Sequence, residues 1–240
     1  MTAHGVLKGA VYVTTVLTGI SSMATRGVLA ELARACPLDG LELRFESTGG
    51  VEAARRVAAG DAFDLVVLAA DAMDQLAAAR HLLAGSLQAI ANSPMAIAAR
   101  AGSPQPDVGS DVALRDAVLQ ARRIGYSTGP SGVALMALFD RWGIVRMLDG
   151  RLLQARPGVP VGALIADGSV DLGFQQLSEL LNVAGIEVLG LMPAGLEIVT
   201  TFSGAVGARS TQAAQARQAL SFLCSDAAAE AKRHHGMTAG

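Results

Sequence analysis

The sequence predicts a two-lobed α/β protein, each lobe a mainly parallel sheet flanked by helices, with a ligand cleft between the lobes. Three observations predict it. Short β-rich runs alternate with longer amphipathic or Ala-rich segments, the pattern of βαβ units. Two long apolar runs, at 89–100 and 196–208, bracket a middle block that repeats this alternation, which makes them the natural crossings between lobes. Hydrophobic residues make up 51% of the 240-residue chain, with 27 Gly and only 4% aromatics, as suits a compact chain rich in small residues at turns and helix contacts.

In chain order, GAVYVTT (9–15) reads as the first strand and is followed by a helix through 23–35. LELRFES (41–47) is the second strand, ahead of the helical VEAARRVAAG. DLVVLAA (64–70) is continuously apolar, as a strand covered on both faces should be, and leads into DAMDQLAAARHLL. After the long run at 89–100 comes a turn-rich loop, SPQPDVGS, then a helix through LRDAVLQA and the strand RRIGYS (122–127). A helix beginning near Ser131, the run LLQAR, a helix near VGALIADG and the strand VDLGFQ (170–175) complete the middle block. The run at 196–208 returns to the first lobe, and the last thirty residues read as helices. Residues 1–92 and 200–240 would then form one lobe, and residues 93–199 the other.

Charge and composition exclude several function classes. Lys+Arg 19 against Asp+Glu 21 leaves no basic footprint for nucleic acid or an acidic membrane surface. No apolar stretch is long enough to span a bilayer. Cys36 and Cys224, and the histidines His4, His81, His234 and His235, show no metal-ligand spacing, so neither metal nor cofactor is expected. The opening MTAHGVLKGAVYVTTVL lacks the basic, apolar and small-residue sections of a secretion signal, which points to the cytoplasm, or to the periplasm if a leader has been removed.

In open parallel sheets, ligands sit beyond the carboxyl ends of strands, where helix starts offer unpaired N–H groups. Those positions here are Thr14 and Thr15; Ser47, Thr48, Gly49 and Gly50; Asp71; Ser93; Ser127, Thr128, Ser131 and Gly132; and Gln175 and Gln176. Gly158, in the turn before VGALIADG, joins them. Hydroxyls, amides and glycines dominate, a lining that suits an anion held by dipoles rather than by a counter-charge. Taken singly, each has a plainer explanation: Ser47, Thr48 and Ser131 as N-caps, Gly49 and Gly50 as a turn. Their recurrence at several junctions of both lobes argues for a ligand site.

The segments STGGVEAARRVAAGDAFDLVVLAADAMDQL, RRIGYSTGPSGVALMALFDRWGI, LIADGSVDLGFQQLSELLNVAGIEVLGLMP and ALSFLCSDAAAEAKRHHGM carry a family resemblance. In order and spacing the chain resembles the type II periplasmic-binding-protein fold, specifically the molybdate-binding proteins and their relatives the aconitate isomerases. GYSTGPSG and GFQQLSELL look more like the isomerase branch. Oxyanion binders of this family typically place a serine in the first loop, where Val16 is aligned here, and a tyrosine in the last site loop, where this chain has Gln176. Ser47, Thr48, Ser131 and Gly132 match the remaining positions.

The resemblance implies a small di- or tricarboxylate ligand and an isomerase that moves a carbon–carbon double bond by a 1,3-proton shift, a reaction that needs a proton carrier. Among titratable residues near strand tips, Tyr126, Asp71 and Glu46 could serve; in turn they could be a core tyrosine, an N-terminal helix aspartate and an outward glutamate. The alternative is a binding protein for molybdate or tungstate, which needs the same donors and no base.

Overall fold

The computed structural model describes residues 14–156 and 158–240. His4 and residues 9–13 of the expected first strand lie outside the described residues. The strand that the described residues show there, β1, spans Thr15–Ser22 and passes through a 3-10 turn (Met23–Thr25) into α1 (Arg26–Arg34). Next come β2 (Leu41–Thr48), α2 (Gly50–Ala59), β3 (Leu65–Ala69), α3 (Ala70–Ala78) and the long β4 (Gln88–Arg100). The middle block holds α4 (Asp111–Gln120), β5 (Ile124–Tyr126), α5 (Pro130–Arg141), β6 (Leu152–Gln154), α6 (Val161–Ala166), β7 (Leu172–Gln176), α7 (Leu177–Leu180) and β8 (Ile186–Leu191). The chain ends with β9 (Val199–Val206), α8 (Ala213–Cys224), α9 (Ala229–His234) and β10 (Thr238–Ala239).

The strand order β2-β1-β3-β9-β4-β7-β5-β6 makes one mixed sheet, which corrects the expectation of mainly parallel sheets. Strands β2, β1 and β3 are parallel to one another, as are β6, β5 and β7. Between these groups, β9 and β4 run antiparallel to their neighbours. The reason is connectivity: a chain that enters the second group must also return, and the two crossing strands pair with each other in opposite directions. β4 serves both groups, pairing with β9 through Gln88–Pro94 and with β7 through Met95–Ala99. Ser93 on β4 and Thr200 on β9 stand opposite each other in this register.

Each half of the sheet is buried on both faces. In the first half, Leu65 and Val67 of β3 pack with Leu29 of α1 and Leu220 of α8, while Val66 and Leu68 pack on the other face with Val57 of α2 and Met73 of α3. This two-sided cover is why DLVVLAA carries no polar alternation. In the second half, Ile97 and Phe174 meet Leu135 and Phe139 of α5, and Ala96 and Ala98 meet Val161 and Ile165 of α6. Full burial of such side chains contributes roughly 1.5–3 kcal/mol each, which fixes the strand tips that carry the site.

The placement of β1 corrects the sequence expectation of a strand ending at Thr15. Parallel pairing with β2 runs from Thr15 opposite Leu41 to Ser22 opposite Thr48, so the carboxyl end of β1 is Ser22. Both stretches are rich in β-branched residues and no turn residue separates them, so local pattern does not decide between them; the partner strand does.

Candidate functional site

The carboxyl ends of β1, β2 and β3 in one half, and of β5 and β7 in the other, open on one cavity of about 360 Å³. Of the helices that begin at its wall, α2, α3, α5, α6 and α7, none is capped by a side chain. By contrast α4, which does not line the cavity, has its start closed by Ser110, whose hydroxyl accepts from the Ala113 N–H at 3.2 Å. Apart from the Val161 N–H at the start of α6, which a side chain of β7 accepts, these helix starts present first-turn N–H groups that no side chain occupies among the described residues, together with the positive ends of their dipoles.

On the first half, Ser22 lines the cavity at the tip of β1; it is 7% exposed, and its Oγ is buried with no hydrogen-bond partner among the described residues. A buried hydroxyl without a partner costs roughly 1–3 kcal/mol, so its persistence at a cavity wall marks a position where a ligand atom completes the bond. The neighbouring Ser21 is satisfied, its hydroxyl 2.8 Å from that of Ser47, and this pair stitches β1 to β2. Gly49 and Asp71 also line the cavity, at the starts of α2 and α3.

On the second half, the loop after β5 brings Ser127, Thr128 and Ser131 to the wall, with the Ser127 and Ser131 hydroxyls 3.1 Å apart. Pro130 occupies the first turn of α5, where its missing N–H loses nothing. Gly132 does not line the cavity; it sits inside that turn, where a Cβ would run into the Ser127 carbonyl oxygen, so glycine is what lets the loop close onto the helix. Gly158 lines the cavity ahead of α6, and so does Arg156, the one cationic side chain among the described lining residues.

The tip of β7 carries a buried polar chain. Gln175, 3% exposed, accepts the Val161 N–H on its Oε1 at 2.8 Å and donates from Nε2 to Oε1 of Glu179 at 2.8 Å. Glu179 lines the cavity, and desolvation pushes its pKa up from 4.5 to about 7, the hydrogen bond from Gln175 opposing that rise. Gln176 also lines the cavity, with its amide engaged at the crossing strands: in the orientation that satisfies both ends, its oxygen accepts from the Thr200 hydroxyl at 2.6 Å and its nitrogen donates to the Ser93 carbonyl at 2.9 Å.

Of the residues expected from the sequence, the structure brings Gly49, Asp71, Ser127, Thr128, Ser131, Gly158, Gln175 and Gln176 to one cavity. It does not bring Thr15 and Val16, which lie at the amino end of β1 because that strand ends seven residues later than expected. The residue at the carboxyl end of β1 that lines the cavity is Ser22. Ser47, Thr48 and Ser93 stand just behind the wall, in strand pairs rather than on it. Tyr126 packs against the core of the second half, and Glu46 pairs with Arg56 at 2.8 Å, so neither faces the cavity. Sequence reasoning missed Ser22, Arg156, Glu179 and Thr200. Glu179 was within reach, because it lies inside GFQQLSELL one turn past the strand tip, beyond the tip residues to which the search was confined.

Among the described residues there is no group of three or more His, Cys, Asp or Glu side chains that could hold a metal ion, and no helix long and apolar enough to cross a membrane. His234 and His235 instead reach Glu31 of α1, at 3.3 and 3.0 Å.

Residues 17–238 match the family model described as bacterial extracellular solute-binding protein. The aconitate isomerase of Pseudomonas sp is 34% identical over 232 residues, covering 93% of this chain and 87% of that protein. Among solved structures, the periplasmic molybdate-binding protein of Azotobacter vinelandii superposes with a TM-score of 0.77 at 19% identity, over 93% of this chain and 99% of that one. The sulfate-binding protein of Mycobacterium tuberculosis superposes with a TM-score of 0.76 at 16% identity, over 93% and 86%. These structural likenesses show the fold, an α/β fold of the periplasmic binding type.

Proposed function

The chain belongs to the bacterial extracellular solute-binding protein family, and from that premise we propose that it binds a small di- or tricarboxylate in the cavity and isomerises it, moving the double bond by a 1,3-proton shift as an aconitate isomerase does. The observation that carries this reading is the 34% identity to an aconitate isomerase over 93% of the chain. The cavity supports it in kind. Uncapped helix starts and the open Ser22 hydroxyl suit carboxylate oxygens, Arg156 supplies a charge for a further carboxylate, and about 360 Å³ exceeds what a single compact tetrahedral oxyanion fills.

In this reading residues 1–92 with 200–240 form one lobe and residues 93–199 the other. The lobes close on the ligand by flexing where β4 and β9 cross, near Ser93 and Thr200. Helix N–H groups and hydroxyls from both lobes hold the carboxylates and stabilise the charge that gathers on one of them as the neighbouring carbon loses a proton. Gln176, tied to Ser93 and Thr200, holds the tip of β7 against the crossing strands.

A second reading, an oxyanion-binding protein without catalysis, draws on the molybdate- and sulfate-binding structural neighbours and on the serine that lines the cavity at the carboxyl end of β1, Ser22. Following cis- and trans-aconitate by proton NMR in the presence of the protein separates the two. The isomerase reading predicts approach to one equilibrium mixture from either side. Unchanged spectra of both acids at enzyme-level protein concentration would contradict it.

A further inference from the structure

Among the described residues, three charged side chains line the cavity: Asp71, Arg156 and Glu179. Arg156 cannot give up its proton in a protein, so a proton carrier at the wall is a choice between two carboxyl groups. Asp71 stands exposed in the first turn of α3, with no hydrogen bond among the described residues to fix its carboxyl group. Glu179 differs on each count. It is half-buried on α7, and its Oε1 is pinned by Gln175, which is pinned in turn by the Val161 N–H. Its Oε2 has no hydrogen-bond partner among the described residues, so one oxygen is anchored and the other is free to meet a ligand carbon.

We propose that Glu179 is the catalytic acid–base of this site, held in its working position by Gln175. The inference rests on the isomerase reading above. In the reaction, Oε2 takes a proton from the methylene carbon of the bound acid: that C–H bond breaks and an O–H bond forms. The electron pair moves into the adjoining C=C–carboxylate system, giving a delocalised carbanion whose charge the helix starts and Arg156 stabilise. The same proton, or one exchanged with solvent, then passes from Oε2 to the far carbon of the allylic unit. The new C–H bond forms, the O–H bond breaks, the double bond has moved, and the carboxylate is restored with no net redox change. A single group that both removes and returns a proton works best when its two forms are similar in free energy at the working pH, and the pKa of about 7 places Glu179 there.

The surroundings leave this group without a charged partner. The elements packed against α7 are chiefly β4, β7, α6 and the Met23–Thr25 turn. They carry one charged residue, Arg100 at the end of β4, which lies beside Asp167 and Gly168 instead. The other charged side chains at the cavity wall among the described residues are Asp71, on the first half, and Arg156, ahead of α6.

The test is Glu179→Gln, which keeps an oxygen to accept from Gln175 and so preserves the local hydrogen bond. Interconversion of cis- and trans-aconitate and deuterium uptake at their carbons in D2O are measured for both proteins, beside calorimetric affinity for tricarballylate, the saturated analogue. The expected result is loss of isomerisation and of deuterium uptake by at least ~100-fold, affinity held within about threefold, which is well under 1.4 kcal/mol, and a wild-type kcat/KM that rises with pH through about 7. If the wild-type protein isomerises and the variant keeps its rate within about tenfold, Glu179 is not the proton carrier, though the isomerase reading stands. If the variant loses binding in step with rate, Glu179 is a binding residue and the assignment is wrong. If the wild-type protein neither isomerises nor exchanges deuterium, both the assignment and the isomerase reading fall.

Discussion

On the β1, β2 and β3 side, the cavity wall carries helix starts and a buried serine hydroxyl that has no hydrogen-bond partner among the described residues. On the β5 and β7 side, several polar groups are already joined to one another, Gln175 to Val161 and Glu179, Gln176 to Thr200 and Ser127 to Ser131, while Arg156 is exposed. A wall with spare hydrogen-bonding capacity can take up a ligand with little rearrangement. A wall whose groups are saturated has little left to offer as donors, but it holds its members rigidly and can keep one carboxyl group desolvated. In the proposed reading the two halves divide the labour: the first supplies open hydrogen-bonding groups, and the second supplies the pre-positioned carboxyl group together with Arg156.

The division is tested most severely through stability. The pKa of Glu179 in the folded protein, about 7, lies above its ordinary 4.5, so between those values the folded protein holds a proton that the unfolded chain has released. The stability contributed by the neutral carboxyl is whole below pH 4.5 and is lost as the pH rises through 7. Glu179→Gln, which cannot ionise, should therefore be more stable than the wild type by about 3 kcal/mol at pH 8 and equal to it near pH 4. Urea unfolding at the two pH values measures this. Equal stabilities at pH 8 would show that the carboxyl is not strained and that the two walls do not differ in this way.

Ser22→Ala addresses the opposite wall. It removes a buried hydroxyl that has no partner among the described residues, so the melting temperature should hold or rise, while affinity for a tricarboxylate falls by roughly ten- to a hundred-fold. A variant that melts lower and binds normally would make Ser22 a structural residue. Arg156→Gln should have a smaller effect, a roughly three- to tenfold loss of tricarboxylate affinity that shrinks as salt is added, because this side chain is exposed and screened. Val16→Ser should change affinity less than about twofold, since the residue is at the far end of β1, outside the cavity wall, with its carbonyl accepting from Gln212 at 3.0 Å. A gain of oxyanion affinity in that variant would return Val16 to the site.

The sequence made the β3 strand, the long crossing strands and the loops at Ser127–Ser131 and Gln175–Gln176 legible, because each shows a strong local pattern: an unbroken apolar run, an unusual length, or a strand followed at once by turn residues and a helix. The first strand was not legible, since its register depends on β2, and that displacement accounts for Thr15 rather than Ser22 being expected at the strand tip. The mixed direction of the sheet was also hidden, as apolar runs do not record whether the neighbouring strand is parallel. Glu179 was visible as a residue but not as a site. Its distinction comes from burial beside Gln175, and no spacing rule encodes the desolvation of one side chain.

In the proposed reading the cavity selects a carboxylic acid over an inorganic oxyanion. Calorimetric titration of the wild-type protein with trans-aconitate, tricarballylate, molybdate, tungstate and sulfate tests it most directly. The account predicts that a tricarboxylate binds at least about tenfold more tightly than any of the inorganic oxyanions, a difference of about 1.4 kcal/mol or more. Submicromolar molybdate affinity with no measurable heat from any tricarboxylate would contradict it and make the chain an oxyanion-binding protein.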